Sequence, residues 1–147
     1  LSEEDAVVEL FINTVMQDGK KAVARAVVAE ALHVVQRHTT AMSPRQYLVQ
    51  AIDRVAPLMK LNSQSRGAKA VVSPVPIGER ARRRTAMKWI LKAINRRKHR
   101  RIATGQLLGN ELIKIHEGTS AALERKRNVY ITALANRSNV LLTDRPI

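Results

Sequence analysis

Apolar residues recur every three or four positions over most of the chain, and this spacing predicts a mainly α-helical fold. Start and stop signals support the boundaries, since Ser43-Pro44 is typical of a helix start and Gly19 of a helix end. We therefore predict about six helices in a single domain, residues 1–147. They cover about residues 3–17, 20–38, 43–56 and 80–96, a fifth that closes at Gly118, and a sixth that begins after Thr119 or Ser120.

Each predicted helix carries an apolar stripe that should face a shared core. Trp89 lies on the cationic side of the fourth helix, beside Ala86 and Ala93, and we expect it to pack at the edge of the core rather than stack on a base. The stripes comprise Val7, Val8, Phe11, Ile12, Val15 and Met16; Val23, Val27, Ala31 and Val34; Leu48, Ala51, Ile52 and Val55; Met87, Ile90, Leu91 and Ile94; Leu108, Leu112 and Ile115; and Leu123, Tyr130, Ala133 and Leu134.

The segment of about residues 58–78 breaks the helical period between the third and fourth helices. Alternation in its second half indicates a strand, and Pro74 and Pro76 exclude a central position in a sheet because proline lacks an N–H donor. We predict a projecting two-stranded β-hairpin whose tip is Arg66-Gly67-Ala68-Lys69. Such a hairpin is marginal in water, so its outer end should rest on a partner.

The charge of the chain indicates a polyanionic partner. Its 147 residues carry 26 Lys and Arg against 12 Asp and Glu, a formal net charge of +14, and 45% of residues are apolar. That composition supports a packed core, but the self-repulsion would be relieved by nucleic acid. Aromatic residues make up only 3%, few for a protein that stacks serially on single-stranded bases.

The positive charge is concentrated in the predicted basic helix and loop, about residues 80–101. Glu79 is the only acid between positions 79 and 101. Solvated surfaces normally mix signs, so this cluster is typical of contact with a phosphate backbone. Its eleven cations, which we predict to bind RNA, are Arg80, Arg82, Arg83, Arg84, Lys88, Lys92, Arg96, Arg97, Lys98, Arg100 and Arg101.

Two smaller groups of cations lie outside this cluster. Lys20 and Lys21 are near the start of the second helix, where positive charge opposes the helix dipole and indicates an external anion, so we predict that they also bind rRNA. The sixth helix and its end add another basic surface, formed by Arg125, Lys126, Arg127 and Arg137.

The sequence lacks the patterns that catalysis and cofactor binding require. It has no cysteine, no paired metal-ligand histidines, no phosphate-binding glycine loop and no nucleophile elbow. Glu111 and Glu117 look like ordinary helix-surface charges. We therefore predict no enzyme activity, no cofactor, no metal, no small-molecule substrate and no membrane-spanning segment. The remaining alternatives are a DNA-binding architectural or helix-turn-helix protein, and a membrane-surface protein using the fourth helix.

The order of short motifs resembles the family of the seventh small-subunit ribosomal protein, from about residue 7 to 140. Each motif alone is weak, but six in the right order and spacing are specific. They are Phe11-Ile12-Asn13 with Met16-Gln17-Asp18-Gly19-Lys20-Lys21; Ala51-Ile52-Asp53-Arg54-Val55-Ala56-Pro57; Val75-Pro76-Ile77; Arg84-Thr85-Ala86-Met87-Lys88-Trp89-Ile90-Leu91; Glu111-Leu112 with Gly118-Thr119-Ser120-Ala121; and Ala133-Leu134-Ala135-Asn136-Arg137.

The resemblance implies a structural protein that binds the 3′ major domain of small-subunit rRNA, organises head assembly and contacts neighbouring ribosomal proteins. It also implies that the hairpin and last helix reach the exit-site tRNA and the mRNA path, which would bring Arg66, Lys69 and Arg137 near them. The hairpin tip and the ending Leu-Leu-Thr-Asp-Arg-Pro-Ile are more similar to mitochondrial members. We therefore expect a ribosome in the mitochondrial matrix, with the bacterial cytoplasm or a plastid as alternatives.

Overall fold

The computed structural model of the chain describes residues 2–96 and 101–139. Within these ranges it has the mainly α fold that the sequence predicts, with six helices and an antiparallel hairpin between the third and fourth. The elements are α1 (Glu3–Val15), α2 (Lys21–His38), α3 (Pro44–Val55), β1 (Met59–Arg66), β2 (Lys69–Pro76), α4 (Glu79–Asn95), α5 (Thr104–Glu117), α6 (Ala121–Ala135) and a 3-10 turn at Arg137–Asn139.

The helix ends follow local capping chemistry. The side-chain oxygen of Ser43 accepts a hydrogen bond from the backbone N–H of Gln46 at 3.2 Å, which starts α3 at Pro44 as predicted. Gly118 closes α5 in the left-handed conformation, with φ of 84°. Helix α1 ends two residues earlier than predicted because Met16 leaves the helical conformation, with φ of −57° and ψ of 134°.

All six helices contribute to one buried cluster, whose largest members include Phe11, Leu48 and Ile90. Two positions in the predicted stripes were wrong: Val23 and Leu134 are 59% and 63% exposed. Helix α2 turns a neighbouring face toward the core, using Ala24, Val28, Ala31, Val34 and Val35. Helix α6 buries the small residues Ala122 and Ala133, which leaves Leu134 on its outer side.

The small residues of α2 and α5 allow these two helices to pack closely. A Cβ atom added at Gly109 would lie 2.6 Å from Cβ of Val34 and 3.1 Å from the carbonyl oxygen of Ala31. One added at Gly105 would lie 2.5 Å from Oε2 of Glu30. These separations are below normal contact distances, so the glycines set the spacing between the helices.

Replacing Gly109 by Ala is expected to lower the free energy of unfolding by about 1–3 kcal/mol, even though alanine is the better helix former. The clash with Val34 and with the α2 backbone outweighs the propensity gain of about 1 kcal/mol. Urea denaturation measures the change. Asn110→Ala, at the exposed neighbouring position of α5, is the control and should be close to neutral. A Gly109→Ala protein as stable as the parent would contradict the close packing.

The hairpin is fastened at its base and open at its tip. Its register pairs Met59 with Pro76 and Arg66 with Lys69, so the tip lies where the sequence predicts it. The backbone N–H of Leu58 donates to the Tyr130 hydroxyl at 3.0 Å, and Nδ2 of Asn139 donates to the carbonyl of Val72 at 2.8 Å. The base of the hairpin therefore packs on α6, and the 3-10 turn that follows α6 holds the middle of β2.

Glu111 differs from its sequence prediction. It is only 2% exposed, and its Oε1 accepts a hydrogen bond of 2.6 Å from the Ser120 hydroxyl. That hydroxyl also accepts from the N–H of Ala122 and caps α6. Glu111 is thus a buried link between α5 and the start of α6 rather than a surface charge.

Candidate nucleic-acid interface

The basic residues of α4 separate into a presented set and an internal set. The presented set recurs at every fourth position, so at 1.5 Å per residue it extends for about 24 Å. All five side chains are exposed, and the ion pairs found within residues 2–96 and 101–139 do not involve them. We call this set the cationic stripe: Arg80, Arg84, Lys88, Lys92 and Arg96.

Arg82 belongs to the internal set. Its guanidinium donates to the carbonyls of Pro57 at 3.1 Å and Ala56 at 3.5 Å, and to a carboxylate oxygen of Glu79 at 2.8 Å. The last carbonyls of a helix have no partner within the helix, so Arg82 satisfies the end of α3 from outside. Arg82, one of the eleven cations predicted to bind RNA, is therefore engaged within the protein and is not presented freely to solvent.

Arg83 joins three elements through carboxylates. It donates to Glu3 at 3.1 Å and Asp53 at 3.3 Å, and Glu79 lies at 3.5 Å. Burial works against its charge, but hydrogen bonds and charge attraction from these carboxylates outweigh that effect and raise the pKa of Arg83. The acidic start of α1 is thereby attached to α3 and α4.

The remaining predicted RNA-binding residues are distributed as follows. Lys20 is exposed, whereas Lys21 pairs with Glu9 at 2.6 Å. A carboxylate of the protein therefore neutralises part of the positive charge at the start of α2. Arg101 is exposed. Arg97, Lys98 and Arg100 lie outside the described residues.

The three residues expected near tRNA and mRNA lie on the hairpin and beyond α6. Arg66 ends β1, Lys69 begins β2 and is exposed, and Gly67 between them has φ of 62°. Arg137 is exposed in the 3-10 turn, whose Asn139 holds the Val72 carbonyl of β2. The turn that carries Arg137 thus packs against the hairpin.

A second basic helix, α6, lies against the end of the stripe. Trp89 is partly buried and packs on the core, as expected, and the Arg125 guanidinium carbon lies 5.6 Å from the centre of its ring. Lys92 and Arg96 line the same groove as Arg125. The sequence placed Arg125 on a separate basic surface, because nothing local shows that the start of α6 meets α4.

The imidazole ring of His116 is engaged within the protein. The His116 ring stacks on Tyr47 with centroids 3.7 Å apart, and burial lowers the pKa of His116. Among the described residues, no group of His, Asp or Glu could hold a metal ion. No helix in the described ranges has the length and hydropathy needed to cross a bilayer.

Comparison with known proteins gives a consistent set of relatives. The family described as Ribosomal protein S7p/S5e matches residues 2–137. The chain is 38% identical over 135 residues to Small ribosomal subunit protein uS7m of Schizosaccharomyces pombe, and the match covers 92% of this chain and 51% of the relative. It is 34% and 32% identical to the uS7 proteins of Thermosipho africanus and Thermus thermophilus, and these matches cover 91% of this chain and 84% of each relative. The chain thus spans about half of the yeast protein and most of the bacterial ones.

Proposed function

Since the chain belongs to the S7p/S5e family of ribosomal proteins, structural and non-enzymatic components of the small subunit, we propose that it binds the 3′ major domain of small-subunit rRNA through the cationic stripe of α4. There it organises assembly of the subunit head beside neighbouring ribosomal proteins. Family membership confirms the resemblance drawn from the motifs, and with it the prediction that the protein is not an enzyme.

The observation that carries the rRNA-binding proposal is the division of charge on α4. Arg82 and Arg83 are engaged within the protein, while the five cations of the stripe face solvent without carboxylate partners in the described part of the chain. Presented cations at a regular spacing suit the phosphates of structured RNA, which is recognised largely by shape and backbone contacts. In this proposal, Arg82 and Arg83 hold α4 in place against α1 and α3, and the cationic stripe binds the rRNA.

A charge-matched comparison tests this proposal. Arg84→Gln with Lys88→Gln is expected to lower affinity for a 3′ major-domain rRNA transcript at least about tenfold, because two charge-assisted contacts are lost. Filter binding at fixed salt measures it. The control, Arg37→Gln with Arg45→Gln, removes the same charge from exposed positions of α2 and α3 and should retain near-parent affinity. Equal losses in the two double variants would contradict a specific role for the stripe.

The same assay addresses the DNA-binding alternative. A helix-turn-helix unit joins its two helices by a short turn, whereas the hairpin separates α3 from α4 here. We therefore expect a duplex DNA competitor to displace the rRNA transcript poorly. Displacement at equal concentration would favour the DNA-binding alternative.

We further propose that the hairpin tip and Arg137 approach exit-site tRNA and mRNA. The contact of Asn139 with Val72 holds the middle of β2, and Lys69 lies three residues beyond it, about 10 Å further along the strand toward the tip. Positive charge at an exposed tip does not stabilise the core of the protein, but it can contact a neighbouring RNA.

A shortened hairpin distinguishes the function of the tip from that of the rest of the hairpin. Deleting residues 64–71 and joining Ser63 to Val72 through Asn-Gly retains the Asn139 contact and supplies a favoured two-residue turn. We expect the free energy of unfolding to change by less than about 1 kcal/mol, since the tip is exposed. Incorporation into small subunits should persist while exit-site tRNA retention falls. Lys69→Gln alone is the milder comparison, and normal tRNA retention by shortened-hairpin subunits would contradict the proposal.

We propose a mitochondrial ribosome as the location. The higher identity to the yeast mitochondrial relative than to the bacterial ones supports it. Fractionation of native cells should recover the protein with mitochondrial small subunits; recovery with cytoplasmic or plastid ribosomes would favour the alternatives.

A further inference from the structure

The groove between α4 and α6 has a small, neutral floor and cationic walls. Ala93 and Ala122 are 6% and 1% exposed and form the floor together with Ala121, so the space between the helices is not filled by side chains. The resulting cavity has a volume of about 280 Å³. We call it the α4–α6 groove, and its lining residues are Trp89, Lys92, Ala93, Arg96, Ala121, Ala122, Glu124, Arg125 and Asn128.

The charge of the groove is strongly one-sided. The lining includes three cations, Lys92, Arg96 and Arg125, and one carboxylate, that of Glu124. Within the described ranges, none of these three cations forms an ion pair, although five other cations of the chain do. The groove therefore presents positive charge that an external anion could neutralise.

Trp89 restricts the position of one hydrogen-bond donor of the groove, the guanidinium of Arg125. The Arg125 guanidinium lies over the indole ring at 5.6 Å, a cation–π arrangement that restricts the side chain. A guanidinium held over a ring still has N–H groups along its edge, and their fork matches two oxygens of one phosphate. Arg125 can therefore contact one phosphate in a bidentate manner, which lysine cannot do.

The position of the groove favours RNA over a protein carboxylate as the source of the anion. Lys92 and Arg96 belong both to the groove and to the cationic stripe, so a backbone that follows the stripe enters the groove at its end. At about 280 Å³ the cavity is slightly smaller than the roughly 300–1,000 Å³ of small-molecule sites, so it has room for one group of a larger ligand.

We propose that the α4–α6 groove binds one phosphodiester group of the RNA, with Arg125, oriented by Trp89, as its bidentate donor. This inference rests on the proposed rRNA-binding function and adds a discrete site to the extended stripe. The stripe neutralises phosphates along α4, whereas the groove fixes the position of one of them.

Trp89 is the only tryptophan of the chain, so its fluorescence reports directly on the groove. Titration of the full chain with the 3′ major-domain rRNA transcript should change that fluorescence with the same midpoint as binding. Arg125→Gln is expected to lower affinity about tenfold and to remove most of the fluorescence change. Arg127→Gln, an equal charge loss at an exposed position of α6 outside the groove, should bind like the parent.

A second variant separates the shape of the groove from its charge. Ala121→Leu retains every charge but fills the groove, and it should weaken binding as Arg125→Gln does. Circular dichroism and urea denaturation establish that each variant folds; should Ala121→Leu unfold, Arg125→Lys replaces it, because it retains the charge but loses the fork. Parent-like binding by Arg125→Gln, or by the folded charge-retaining variant, would overturn the proposal.

The outcomes distinguish this inference from the function on which it rests. If the parent fails to bind the transcript, the proposed rRNA-binding function fails and the groove proposal with it. If the parent binds and Arg84→Gln with Lys88→Gln binds poorly, but Arg125→Gln matches Arg127→Gln, only the groove proposal fails. A fluorescence change with a poly-glutamate peptide and none with RNA would assign the groove to a protein partner and overturn it.

Discussion

Binding of the 3′ major-domain rRNA transcript is expected to weaken by about 100- to 500-fold when the salt concentration rises from 50 to 200 mM. The five cations of the stripe are presented without carboxylate partners among the described residues, and each phosphate they neutralise releases condensed counterions. Five such contacts correspond to a slope of roughly −3.5 to −4.5 in a plot of log K against log salt.

The slope of log K against log salt also shows which cations contact phosphates. Arg84→Gln with Lys88→Gln should reduce its magnitude by about 1.4 to 1.8, because two phosphate contacts are lost. Arg37→Gln with Arg45→Gln should leave it unchanged. A parent protein with nearly flat salt dependence would show that phosphate contacts do not dominate binding.

Replacing Ile90 by Ala is expected to lower the free energy of unfolding by about 2–5 kcal/mol. Ile90 is fully buried on the core face of α4, and its truncation removes apolar contacts and leaves a cavity. For a domain of this size that is a large share of the total stability, so the melting temperature should fall by several degrees.

Lys92→Ala is the matched change on the opposite side of the same helix. Lys92 is exposed, so we expect the free energy of unfolding to stay within about 0.5 kcal/mol of the parent. RNA affinity should fall, because Lys92 belongs to both the stripe and the groove. Chemical denaturation and filter binding separate the two effects. Equal losses of stability in both variants, with binding unchanged, would contradict the two-faced description of α4.

Local signals account for most of the secondary structure that the sequence predicted. Ser43, Gly118 and Ser120 act through atoms within a few residues of themselves, so their capping roles can be recognised without the fold. The exact buried face of a helix is different, because it depends on the partner helix. Val23 was wrongly placed in the core since the close approach of α5, set by Gly105 and Gly109, selects another face of α2.

The sequence by itself determined the helical class, the hairpin between the third and fourth helices, the one-signed charge of α4 and the family of the protein. Only the tertiary structure decided which cations are presented to a partner. Arg82 reaches carbonyls 25 and 26 positions earlier in the chain, and Lys126 reaches the carbonyl of Arg54, 72 positions away. Local periodicity carries no information about such distant helix ends, which is why internal and presented cations look alike in the sequence.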